Sequence, residues 1–295
     1  MTQPGPASTA GTIYVGVSTK MYLGYGDSLR WLGELRHEVD ARPALAAGRV
    51  VPFVIPSFPV LPAASKIIAG SPLILGAQNC GWADGPWTGE VSPSLLAELG
   101  VRLVEIGHAE RRRHFGEDDA MVALKVKAAD DAGVTPLLCV GEEAAPAADA
   151  DPAGAAGAAE AAATFVYGQI EAAVRGDWDL AARLVIAYEP VWAIGAAEPA
   201  SAGYVSAVVR SLRELLAAHR PDAHGSDAQR PDGGPGLQEL PVIYGGSAKP
   251  GLLPTLEGVS GLFLGRFAHD AANFGKVLDE ALSLSEDPSV EAPKL

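Results

Sequence analysis

Cysteine is almost missing from this chain. Cys80 and Cys139 are the only 2 in 295 residues, and they form no CxxC pair. That pattern fits a reduced, cytoplasmic protein whose cysteines pack rather than react. Positive charge is scarce too: 22 Lys and Arg stand against 36 Asp and Glu, a net charge of −14. A surface that negative repels nucleic-acid backbones and anionic lipid, so neither nucleic acid nor a membrane is an expected partner. An anionic ligand must then be held by a few local groups working against the overall field. No apolar run approaches the ~18–20 residues of a membrane span. The first residues, MTQPGPASTAG, have neither the basic start nor the apolar stretch of a secretory signal. A dinucleotide fingerprint is lacking, as is any His/Cys/Asp cluster with metal spacing, so no cofactor and no metal is expected.

What is present describes a folded globular chain. The apolar share is 48 % and the charged share 20 %, which excludes disorder as the main state. At this length a chain buries roughly three quarters of its unfolded surface and needs no disulfide or metal to hold it. Short runs rich in Val, Ile and Leu recur at 13–17, 50–55, 73–77, 101–106, 135–140, 184–188, 241–244 and 261–264. They lack polar alternation, as strands covered on both faces do in parallel sheets. Between them, residues 27–40, 61–69, 93–99, 119–132 and 202–219 carry apolar residues at helical spacing. Pro93 after Ser92 suits a first helical turn, and Gly100 and Gly133 are placed to end helices. This count predicts an α/β protein, a single (β/α)8 barrel over 11–284; an open doubly wound sheet is the alternative. Residues 1–10 and 285–295 read as tails. The segments 144–163 and 220–239 read as surface insertions, the first including the start of a helix.

In such a barrel the carboxyl ends of the strands share one face. Reading just past each run gathers Ser18-Thr19-Lys20-Met21, Gln78-Asn79-Cys80, His108-Ala109-Glu110-Arg111-Arg112, Gly141-Glu142, Glu189-Pro190, Gly245-Gly246-Ser247 and Gly265-Arg266. An ammonium, an imidazole, a carboxylate and Gly-rich turns on one rim suit proton transfer on a small phosphorylated substrate.

The segments GAQN, WTGEVSP, IGHAERR, CVGE, AYEPVWAIG and YGGS occur in that order. With them the chain resembles the triosephosphate isomerase family over roughly residues 12–280. The resemblance implies a cofactor-free aldose–ketose isomerase working through an enediol on a three- or four-carbon sugar phosphate. It implies Glu189 as general base and His108 as a neutral electrophile whose protonation is suppressed at a helix amino terminus. It makes Lys20, one of 7 lysines, the cation that stabilises enolate charge, and Glu110 its ion-pair partner. Arg111 and Arg112 read as structural. Pro190–Ala200 reads as a closing lid anchored by Trp192 and latched by Tyr244. Gly195, Gly246, Ser247 and Gly265 read as phosphate donors. Thr88 lies in the loop that, in the family, enters the neighbouring subunit, which implies a homodimer.

The chain departs from the family pattern at four places. Ser18-Thr19 stands where Asn-Trp is usual, Ala109 replaces a serine, the lid reads Ile194-Gly195-Ala196-Ala197-Glu198, and Gly265-Arg266 replaces two glycines. Arg266 either reaches the phosphate or points to solvent. With the small Ser18 opposite, it suits a substrate of one more carbon, so an erythrulose phosphate is slightly favoured over triose phosphate. A non-catalytic sugar-phosphate-binding protein on the same barrel is the alternative. It leaves the joint presence of Lys20, His108 and Glu189 without a purpose.

Overall fold

The computed structural model describes residues 11–147, 152–218 and 237–286. The chain opens with β1 (Ile13–Ser18), α1 (Tyr25–Asp40), β2 (Val50–Ile55), α2 (Leu61–Ile67), β3 (Ile74–Ala77) and α3 (Pro93–Glu98). There follow β4 (Leu103–Ile106), α4 (Ala109–Phe115), α5 (Asp119–Asp131), β5 (Thr135–Val140), α6 (Pro152–Val174) and α7 (Trp178–Ala181). The last part is β6 (Val185–Tyr188), α8 (Ala202–Ala218), β7 (Val242–Tyr244), β8 (Gly261–Leu264) and α9 (Ala271–Glu286). The strands pair in parallel in chain order, and β8 pairs back to β1, so the sheet closes into a barrel.

The missing polar alternation has a simple cause. Successive side chains of a strand point to opposite faces, and here both faces are dry. Tyr14, Phe53, Leu103, Leu137, Val185, Ile243 and Phe263 pack together inside the barrel. Val15, Val54, Val104, Leu138 and Ile186 face outward beneath the helices. Gly16 on β1 belongs to the inward set. A β-carbon there would lie 1.9 Å from the Phe53 ring, so only glycine lets that ring fill the barrel. Helix ends follow the expected chemistry. Ser92 Oγ accepts from the Leu95 N–H at 3.2 Å, with Pro93 in the first turn. Gly100 and Gly133 follow their helices with φ of +82° and +73°.

Most boundaries differ from the sequence reading by one or two residues. β4 begins at Leu103 rather than Val101, although the Arg102 N–H already donates to the Leu75 carbonyl. Residues 152–163 open α6, the helix start read within 144–163; 152–157 are exposed, whereas Ala159, Ala162 and Ala163 are buried against the core. Which face of this alanine-rich segment is buried was not disclosed by composition alone. Of the expected insertion at 220–239, Leu237–Glu239 form a single 3-10 turn. The rest of it, with 1–10 and 287–295, lies outside the described residues.

Candidate active site

The carboxyl ends of the strands open into a cleft of about 650 Å³, a size typical of small-ligand sites. Ser18, Lys20, His108, Glu110, Glu189, Gly195, Gly246, Ser247, Gly265 and Arg266 all line it. Thr88 does not; it sits in an exposed turn after β3 beside the paired rings of Trp82 and Trp87.

Lys20 follows β1 in a left-handed conformation with φ of +47°, a strained geometry for a residue with a side chain. The strain is held by two donors to its carbonyl, Ser57 Oγ and Gln78 Nε2, each at 2.8 Å. Its ammonium reaches Glu110 Oε1 at 2.6 Å. Burial alone pulls this ammonium down, but the bond to Glu110 and the nearby carboxylates outweigh it and leave it above the ordinary value. Lys20 is therefore a permanent cation. Arg111 and Arg112 point away from the cleft, to Glu117 and to Asp119 respectively, each at 2.6 Å.

His108 caps α4. Its Nδ1 accepts the Glu110 backbone N–H at 3.1 Å. A nitrogen that accepts is unprotonated, so the neutral ring carries its proton on Nε2, which faces the cleft. Burial, aided by the charge of Lys20, lowers the imidazole pKa to about 4. A neutral Nε2–H donor is thus available through the whole physiological range.

Glu189 follows β6 directly and is 5 % exposed. Its Oε2 lies 3.4 Å from His108 Nε2 and has no hydrogen bond of good geometry. Burial, then the charge of Glu105, pushes its pKa well above the carboxylate range, with Lys20 opposing. Gly245 keeps the room for it: a β-carbon there would come within 2.5 Å of Glu189 Oε1. Such a carboxylate is basic, poorly solvated and aimed at whatever the cleft holds.

Glu105 is the residue the sequence reading passed over. It lies inside the run 101–106, which looked wholly apolar in outline. It is 4 % exposed, lines the cleft, and its Oε1 is 3.9 Å from His108 Nε2. Burial raises its pKa to about 7 against the pull of Lys20 and the adjacent Ser18 hydroxyl. A carboxylate among buried strand residues was the available signal, because such a group is costly to bury without a task.

Across the barrel the segment 190–200 covers the cleft. Val191–Ala193 form a 3-10 turn, and Trp192 Nε1 donates to Glu142 Oε1 at 2.9 Å. Tyr204 donates to the same oxygen at 3.0 Å, which gives Glu142 a role that its place after β5 did not disclose. The segment is fastened to the turn after β7. The Ser247 hydroxyl reaches the Ala193 and Ala196 carbonyls at 3.1 and 2.7 Å, and the Ala200 N–H donates to Tyr244 Oη at 3.0 Å. Lys249 and Glu198 add an ion pair at 2.8 Å. Arg266 extends over the Tyr22 ring, 5.6 Å from its centroid. Among the described residues no carboxylate lies within ion-pair distance of Arg266.

A closed parallel barrel with a buried carboxylate, a neutral imidazole and a cation in a cleft covered by one loop segment is the arrangement of an isomerase. The family model for triosephosphate isomerase matches residues 13–281. An L-erythrulose-1-phosphate isomerase of Pectobacterium atrosepticum is 43 % identical over 275 residues, 92 % of this chain and 96 % of that one. Another, from Mycolicibacterium smegmatis, is 37 % identical over 279 residues, 92 % and 94 % of the two chains. The crystal structure of triosephosphate isomerase from Bartonella henselae superposes with a TM-score of 0.68 at 28 % identity, covering 90 % of this chain and 98 % of that one. The chain belongs to the triosephosphate isomerase family. It is an isomerase, and the non-catalytic alternative falls away.

Proposed function

We propose that this protein isomerises L-erythrulose 1-phosphate by moving a proton between carbons 3 and 2. The observation that carries the chemistry is the approach of Glu189 Oε2 to the Nε2–H of a neutral His108. The names of the two relatives support the choice of a four-carbon substrate. Glu189 takes the proton from carbon 3, and the C–H electron pair becomes the C2–C3 double bond of an enediolate. The carbonyl electrons move onto the oxygen at carbon 2, where His108 Nε2–H and the charge of Lys20 stabilise them. The hydroxyl proton passes between the two oxygens through His108. Glu189 then returns its proton to carbon 2, leaving the carbonyl at carbon 3. No electron or atom is gained from outside.

The phosphate lies at the other end of the cleft, under the N–H groups of Gly195, Gly246 and Gly265, with Arg266 as its guanidinium. Closure of 190–200 excludes water, which strengthens Glu189 as a base. The protein acts as a homodimer: Met21, 90 % exposed beside Lys20, and the exposed Trp87-Thr88 turn supply apolar surface for a second copy. Sedimentation equilibrium at the mass of one chain contradicts that part. No helix among the described residues is long and apolar enough to cross a membrane, and a reaction on a phosphorylated sugar fits the cytoplasm. The substrate assignment is tested by kcat/KM on L-erythrulose 1-phosphate and on dihydroxyacetone phosphate. A ratio of at least tenfold favouring the tetrulose is expected; a preference for the triose contradicts it.

A further inference from the structure

Glu105 occupies a place that the proton transfer just described leaves unused. Its strand, β4, lies across the closed barrel from β8, and the phosphate turns follow β7 and β8. The side chain therefore enters the cleft from the wall opposite β8, whose following turn is the proposed phosphate seat. Ser18, 6 % exposed, stands beside it with its hydroxyl turned to the carboxylate. Among the described residues no lysine or arginine comes within ion-pair distance of Glu105. A buried carboxylate whose polar neighbour is one serine hydroxyl keeps acceptor sites to spare, a polar niche that suits a further donor. Neither an anion nor a hydrocarbon group satisfies it; a neutral hydroxyl donor does.

We propose that Glu105, with Ser18, is the specificity element of the cleft, accepting a hydrogen bond from the carbon-4 hydroxyl that a tetrulose 1-phosphate carries beyond its reacting carbon and a triose phosphate lacks. The assignment rests on the substrate reading above and deepens it. On a four-carbon chain held by its phosphate at one end, with carbons 2 and 3 at Glu189, carbon 4 projects to the opposite end. There its hydroxyl meets an oxygen of Glu105 and replaces the water that the carboxylate lost on burial. A triose phosphate ends at the reacting carbon and leaves the niche unfilled.

The competing role for Glu105 is electrostatic, since its charge also helps to raise the basicity of Glu189. Substrate length separates the two. In the isosteric Glu105→Gln and in Glu105→Leu, kcat/KM for L-erythrulose 1-phosphate is expected to fall roughly tenfold to a hundredfold. The value for dihydroxyacetone phosphate is expected to change by less than about threefold. Should turnover of the triose be too slow to follow in the wild type, competitive inhibition by erythritol phosphate and glycerol phosphate reads the same difference. Weakening confined to the four-carbon ligand upholds the assignment. Parallel losses on both ligands overturn it and give Glu105 the electrostatic role. A wild type that turns over only the triose phosphate defeats the substrate reading itself, a failure distinct from parallel losses in the variants.

Discussion

Glu189→Gln is expected to lower kcat by about a thousandfold, within the roughly 10²–10⁴ that general-base catalysis supplies, while KM moves by less than about threefold. The amide has the shape of the carboxylate but cannot hold the transferred proton. On the proposed reading, substrate binding depends on the phosphate turns and the imidazole, which the change leaves in place. Loss of folding is not expected to confuse the result. The native pKa of Glu189 lies far above its unfolded value, so its ionisation opposes folding, and opposes it more as the pH rises from the unfolded value through the native one. Removing that group should leave the melting temperature at pH 8 unchanged or higher, as happens when a costly functional group is replaced. Glu189→Asp keeps the charge but withdraws it by one methylene, and a displacement near 1 Å costs about a hundredfold. A Glu189→Gln enzyme with near-normal turnover contradicts the role of base.

His108→Asn is expected to reduce kcat by roughly a hundredfold to a thousandfold, the usual loss of one donor aimed at a developing oxyanion. Asparagine is itself a good helix cap, so α4 should keep its start, and the effect should report the lost Nε2–H. The wild-type rate should also show no inflection from imidazole between pH 5 and 9, because His108 titrates at about 4. A rate that tracks an imidazole near pH 6.5 in the wild type, or a variant with normal turnover, contradicts a neutral electrophile.

The barrel was legible because each buried strand appears as an uninterrupted apolar run, and runs at 50–55, 135–140 and 261–264 match β2, β5 and β8 residue for residue. The rim was legible for a different reason. Lys20, His108 and Glu189 each follow a strand, and a parallel barrel brings every strand end to one face whatever the loop lengths. Hidden features needed a third dimension. Ala159, Ala162 and Ala163 fell in a segment read as an insertion with a helix start, and α6 showed which face they bury. Glu105 disappeared within an apolar segment because its meaning depends on facing inward, two residues from Leu103 on the same side of β4. Arg266 presented two options in sequence, and the structure sets its guanidinium over Tyr22 along the cleft. Glu142 gained its meaning only from Trp192 and Tyr204, distant in sequence, meeting at one oxygen.

The central claim is that a carboxylate takes a carbon-bound proton, holds it in contact with the cleft, and delivers it to the neighbouring carbon. Conversion of L-erythrulose 1-phosphate in deuterium oxide, followed by proton NMR, addresses that directly. The product is expected to carry deuterium at carbon 2 in a measurable fraction of molecules, because part of the protons resting on Glu189 exchange with solvent before they are returned. Conversion in which carbon 2 receives only the original hydrogen, as an internal hydride shift requires, contradicts it.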